Sequence, residues 1–129
     1  MFVRILRFNL HPDISEDVYL EWDRTEMVPA LEPYGLREYS SLFSRVASPN
    51  KPRCCVVHVW ESKEAFQAFS STGQIKGIFQ SLADRYPTIP KDAKLMAHLF
   101  PGFEAEEYIQ AYRYSATAGE TLAEAAERR

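Results

Sequence analysis

The chain has 129 residues, 46% of them hydrophobic and 13% aromatic, with a formal net charge of −3. That is one domain with a real core, and without a Lys/Arg block it offers nothing to a nucleic-acid backbone. No apolar run approaches the ~20 residues of a membrane span, and the two adjacent Cys build no disulfide framework. The amino terminus carries no signal-peptide core, so a cytoplasmic protein with no nucleic-acid or membrane partner is expected.

Phe2 to Leu10 alternates in character. Phe2, Leu6, Phe8 and Leu10 share one face with Arg4, while Val3, Ile5, Arg7 and Asn9 share the other. This predicts a strand with two partly apolar faces. Ser15 reads as a helix N-cap, with Glu16 and Asp17 favourably placed in the first turn. The helix carries Val18, Tyr19, Trp22 and Met27, and Pro29 is expected to kink or end it. Leu36 to Ser44 predicts a second strand, Ser48 to Pro52 a turn, and Cys54 to Trp60 a third strand rich in β-branched residues. Ser62 caps a second helix, which SSTG (70–73) interrupts before Ile75, Ile78, Phe79 and Leu82 resume helical spacing. Lys94 to Phe100 predicts a fourth strand, and Glu104 to Tyr114 a third helix.

The order β-α-β-β-α-β predicts an α+β fold, the ferredoxin-like split βαβ arrangement. Four antiparallel strands then carry both helices on one face. Residues 1–103 are expected to form this domain, with 104–129 as a carboxy-terminal helix and tail. The face away from the helices would expose Val3, Ile5 and one apolar set of strand three. A second copy packed sheet to sheet relieves that exposure, so a two-fold homodimer is expected.

Three stretches resemble the dimeric α+β barrel superfamily, nearest to its antibiotic biosynthesis monooxygenase branch. They are RFNLHP (Arg7 to Pro12), MVPALEPYG (Met27 to Gly35) and VWESKEAF (Val59 to Phe66), and the similarity spans roughly residues 1–100. The resemblance implies a pocket between helices and sheet for a compact ligand. Its members perform cofactor-independent oxygenation, haem cleavage, cyclisation, isomerisation and lyase chemistry, so it does not select a reaction. Haem-degrading members carry an Asn on strand one, and a Trp and a His ten residues apart on helix two. The corresponding positions here are Leu6, Phe69 and Phe79, and Phe79 cannot ligate iron. The resemblance therefore disfavours haem cleavage.

Among the chemistry-bearing side chains, Cys54 and Cys55 are strand neighbours and point to opposite faces. They suit buried thiols better than a zinc site or a nucleophile. His58 shares its face with Trp60. It reads either as a satisfied structural histidine or as a general base or donor titrating near neutrality. His98, with Met96 and Phe100, is the second candidate base. Without a third ligand the two histidines make no metal site, and none is assigned. Tyr19, Trp22, Tyr34 and Tyr39 read individually as packing, but together they suit a flat phenolic ligand; Trp60 reads as core before it reads as a ligand platform. Arg7 and Asn9 of strand one and Arg37 of strand two are candidates to hold an oxyanion, or else to satisfy an interface. No phosphate loop, nucleophile elbow or dinucleotide fingerprint occurs, so no cofactor is expected.

The leading expectation is a small-molecule enzyme similar to cofactor-independent monooxygenases of aromatic or polyketide-like substrates. His58 or His98 would be the base, Tyr19, Trp22, Tyr39 and Trp60 the cavity wall, and Arg7 or Asn9 the oxyanion holder. A non-oxidative cyclase, isomerase or lyase, or a non-catalytic binding or stress-associated protein, fits the same scaffold.

Overall fold

In the computed structural model, residues 1–46, 48–112 and 114 are described. Strand β1 (Phe2–Phe8) is followed by helix α1 (Glu16–Trp22), a π-helical turn (Asp23–Met27), α2 (Val28–Leu31) and a 3-10 turn (Glu32–Tyr34). Next come β2 (Leu36–Phe43), β3 (Cys54–Trp60), α3 (Lys63–Ser70), α4 (Gln74–Ala83), α5 (Leu95–Leu99) and β4 (Glu104–Ile109). The four strands form one sheet in the order β2-β3-β1-β4, every neighbour antiparallel. This is the ferredoxin-like α+β arrangement that the element order predicts.

Local chemistry sets most boundaries. Ser15 caps α1 by accepting from the Val18 amide at 3.2 Å, and Ser62 caps α3 by accepting from the Ala65 amide at 3.1 Å. Gly73, at φ 72°, supplies the left-handed residue that separates α3 from α4. Gly35, at φ 101°, turns the chain from the 3-10 segment into β2, and its carbonyl accepts from the Glu61 amide. Just beyond it, Leu36 pairs with Trp60 but Glu38 pairs with Val59, so Arg37 is the extra residue of a bulge.

One expectation is narrowed and one needs correction. Pro29 does not end the first helix. The chain widens at Asp23–Met27, the Val28 amide reaches back to the Asp23 carbonyl, and the helix continues to Leu31. The looser turn sits where proline withholds its own amide. The fourth strand is also not Lys94–Phe100. That stretch forms the short helix α5, whose Leu99 and adjoining Phe100 are buried. The strand is instead Glu104–Ile109, part of the segment expected to be helical. A Glu-rich run favours helix in isolation, but here Glu107 and Glu106 meet Arg4 and Arg7 of β1. Tertiary ion pairs and a free sheet edge outweigh propensity. The sheet thus draws a strand from beyond residue 103, while 113 and 115–129 lie outside the described residues.

All helices lie over one face of the sheet. Phe2 and Phe8 of β1, and Cys54, Val56 and Trp60 of β3, are buried on that side with Trp22, Phe69, Leu82, Leu99 and Phe100. Trp22 ties α1 to α4 by donating its indole N–H towards the Ile78 carbonyl and Ser81 Oγ, each at 3.1 Å. The opposite face carries Val3, Ile5, Cys55, Val57 and Leu42, with Leu42 52% exposed. Within the described residues, no helix is long and apolar enough to cross a membrane.

Candidate functional site

One row of residues runs across all four strands on the helix-covered face. Tyr39 of β2 pairs with His58 of β3, His58 with Arg4 of β1, and Arg4 with Glu107 of β4. The rows on either side are mostly apolar: Ser41, Val56, Leu6 and Ala105 on one side, Trp60, Phe2 and Ile109 on the other. A polar row beneath packed helices must find internal partners or a ligand.

Above this row lies a cavity of about 260 Å³. The sheet supplies Arg4, Leu6, Phe8, Tyr39, Val56, His58 and Trp60 to its wall. Tyr19, Trp22, Asp23 and Met27 close one side, and Phe66, Phe69, Phe79, Met96, Phe100 and Phe103 close the others. Rings dominate because α1 places Tyr19 and Trp22 three residues apart on its inward stripe, and α3 does the same with Phe66 and Phe69. Edge-on contacts lock them, among them Trp60 with Phe66 and Phe79 with Phe100.

Asp23 is the buried acid of this wall, 3% exposed. It opens the π-helical turn and accepts from Tyr39 Oη at 2.5 Å and from Ser41 Oγ at 2.8 Å. Ser41 spends its one hydroxyl proton on Asp23, so the 3.3 Å contact with Tyr19 is donated by Tyr19. Tyr39 and Ser41 thus donate to the carboxylate directly, and Tyr19 lies behind Ser41. Burial pushes the Asp23 pKa above the ordinary carboxylate value, and the Tyr39 and Ser41 hydrogen bonds pull it partly back. Burial, together with the Asp23 charge, raises both tyrosines well above an ordinary phenol. Asp23, Tyr39 and Ser41 also border a second hollow of about 360 Å³ against Leu20, Arg24 and Val28. Asp23 and Tyr39 border both spaces.

His58 is 4% exposed, and its ring stacks near parallel to Tyr39 at 6.0 Å. Its Nδ1 accepts the indole N–H of Trp60 at 2.5 Å. An indole only donates, so Nδ1 holds no proton and the neutral ring carries its proton on Nε2. Burial first, and the Arg4 charge second, lower the His58 pKa to about 3. His58 is thus a neutral donor through Nε2–H rather than a base near neutrality, which revises the role expected of it.

Arg4 lies with its guanidinium carbon 4.3 Å above the Phe66 ring. Glu107 Oε1 stands 3.5 Å from Nε, yet Nε is buried without a hydrogen bond. Burial lowers the Arg4 pKa, and Glu107 offsets part of the shift.

Of the residues singled out in the sequence, the cavity gathers His58, Tyr19, Trp22, Tyr39 and Trp60. It does not gather the other three. His98 sits on α5 with Nε2 3.0 Å from Asp92, because its segment is a helix rather than a strand. Arg7 lies on the opposite sheet face, paired with Glu106. Asn9 is exposed past the end of β1, where its side-chain oxygen accepts from the Arg53 amide at 2.9 Å. Sequence reasoning passed over Arg4, Asp23 and Ser41. Leu6, Phe69 and Phe79 all line the cavity and present only hydrocarbon to it. Among the described residues, no three His, Cys, Asp or Glu side chains gather as a metal-ligand set.

No family model matches the chain, and no curated protein does. Solved structures do. HapK of Hahella chejuensis is similar at 14% identity, with a TM-score of 0.64, covering 91% of this chain and 100% of its own. An antibiotic biosynthesis monooxygenase-like protein of Nitrosomonas europaea is similar at 16% identity, with a TM-score of 0.54, covering 87% and 100%. A MhuD mutant, crystallised with two manganese protoporphyrin IX bound per active site, is similar at 20% identity, with a TM-score of 0.54, covering 90% and 100%. The chain therefore has the ferredoxin-like fold of the dimeric α+β barrel proteins, a fold that antibiotic biosynthesis monooxygenase-like proteins share.

Proposed function

We propose that the protein is a small-molecule enzyme of the cofactor-independent monooxygenase kind, acting on a flat phenol or enol of the aromatic or polyketide-like class. The observation that carries this reading is Asp23, a buried carboxylate with a raised pKa in the wall of an aromatic cavity. Such a group takes a phenolic proton more readily than an exposed aspartate does. An engineered cavity of about 150 Å³ admits benzene, so the 260 Å³ here suits two fused rings.

In this mechanism Asp23 accepts the substrate hydroxyl proton while Tyr39 and Ser41 hold its carboxylate in place. The proton then leaves through the second hollow, which borders the same carboxylate. The rings exclude water from the resulting anion. The electron-rich anion transfers an electron to molecular oxygen, and the two radicals combine at carbon as a peroxide anion, which takes a proton from solvent to become a hydroperoxide. Loss of water leaves a carbonyl, so the substrate supplies both electrons for the second oxygen atom.

The same reading includes a homodimer. Val3, Ile5, Val57 and Leu42 form an apolar sheet face that helices leave bare, and a second copy covers it.

The test is oxygen uptake by the full chain with two-ring and three-ring phenols. Consumption of one oxygen per substrate, abolished in Asp23→Asn, is expected. Conversion at the same rate without oxygen would overturn the oxygenase reading in favour of isomerase, cyclase or lyase chemistry. No conversion of any bound phenol would make the protein a binding module.

A further inference from the structure

Among the described residues, the Arg4–His58 pair has no hydrogen-bond acceptor on its cavity side. Nδ1 of His58 is occupied by Trp60, so Nε2–H is the remaining donor, and among the described residues nothing accepts from it. Arg4 faces Glu107 through Nε at 3.5 Å, and among the described residues no hydrogen bond engages its two terminal nitrogens. Both side chains line the cavity, directly opposite one another on β1 and β3. Desolvating a guanidinium is costly unless something negative returns the interaction. The wall opposite is already engaged: Asp23 accepts from Tyr39 and Ser41, and Tyr19 contacts Ser41.

We propose that the cavity selects substrates bearing a carboxylate, anchored by the terminal nitrogens of Arg4 and by His58 Nε2–H, with the reacting hydroxyl at the other end of the ring system. The proposal rests on the reading of the cavity as a substrate site and names the substrate class for it: hydroxylated aromatic acids. A guanidinium matches a carboxylate with two parallel hydrogen bonds. A neutral imidazole adds a third donor without adding a second buried charge. Trp60 is then a positioning residue: by occupying Nδ1 it turns the His58 proton towards the ligand. Tyr39 joins the two ends, because its ring lies against His58 and its hydroxyl donates to Asp23. A ligand lying along Tyr39 would therefore present its acid to Arg4 and its hydroxyl to Asp23.

The experiment is a binding titration that needs no turnover, read by quenching of Trp22 and Trp60, which both line the cavity. The probes are 6-hydroxy-2-naphthoic acid and its methyl ester, at pH 7. The acid should bind the wild-type chain at least 10-fold more tightly than the ester. In Arg4→Met, of similar length and uncharged, that preference should fall to near parity. A measurement on the unmutated protein guards against a variant that fails to fold. The His58 Nε2 proton should move downfield in the NMR spectrum with the acid and not with the ester. Equal wild-type affinities, or an unchanged preference in Arg4→Met, would overturn the proposal. An acid preference without oxygen uptake would leave the anchor standing and remove the oxygenase, and oxygen uptake indifferent to the acid group would do the reverse.

Discussion

Trp60 and His58 lie two residues apart on β3, and the indole of one donates to the imidazole Nδ1 of the other at 2.5 Å. Neighbours at that spacing share a strand face, so the pairing fixes the histidine tautomer from within a single strand. Protonating the ring at acid pH both gives up this bond and places a second charge beside Arg4.

That conflict has a pH signature. The His58 pKa is lowered from 6.5 to about 3. Between these values the unfolded chain binds a proton that the folded chain refuses. Its contribution to stability is complete above about pH 6.5 and is lost as the pH falls towards 3. Thermal unfolding followed at pH 7, 5 and 4 should show a decline that is shallower in His58→Gln. Identical slopes in the two proteins would remove His58 as the cause.

Asp23 carries the opposite sign. Its folded pKa is raised, so the folded chain binds the proton more tightly and ionisation weakens the fold as pH rises. Asp23→Asn keeps an acceptor for Tyr39 and removes the buried charge. We expect it to be more stable at pH 7 by about 1 kcal/mol and slower in turnover by at least about 100-fold. Wild-type kcat should rise with pH through one ionisation above the ordinary aspartate range. Chemical denaturation and a pH–rate profile check both halves.

Tyr39→Phe removes a donor from Asp23 while keeping the ring against His58. It should cost about 1–2 kcal/mol of stability and shift the acid limb of the rate profile to higher pH. An unmoved limb would mean that Asp23 is not the titrating group.

Val57→Glu probes the bare sheet face. Val57 sits opposite Ile5, away from the cavity. We expect the wild-type chain to be a dimer in light scattering and the variant a monomer with unchanged helix content. A wild-type monomer would show that the face is covered in another way.

Gly35→Ala should destabilise the chain by about 2 kcal/mol. Its φ is 101°, and an added Cβ would lie 3.1 Å from Glu61 Oε2 and 3.3 Å from the Ala65 side chain. Denaturation midpoints measure the loss.

The elements with local signatures were readable from the sequence. β3 announces itself in CCVVHVW, and α1 and α3 in their serine caps. β4 was not, since its stability comes from arginines about a hundred residues away. The site divides in the same way. Tyr19, Trp22, Tyr39, His58 and Trp60 stand out as rings in amphipathic elements. Asp23 looks like an ordinary surface acid, although it lies four residues from both Tyr19 and Met27, which face inward. That i, i+4 placement was the available signal. Arg4 alternates with Phe2, Leu6 and Phe8, so its position on the apolar face was visible, but its vacant donors were not.

β4 has one further effect. It is an outer strand of the sheet, and three of its six residues, Glu104, Glu106 and Glu107, are acidic. An outer strand leaves backbone groups open to any passing strand, and a row of negative charge deters continued growth along that line. The acidic border thus turns away polymerising, edge-to-edge contacts. It directs self-recognition to the flat apolar surface, where a two-fold pairing closes on itself and stops.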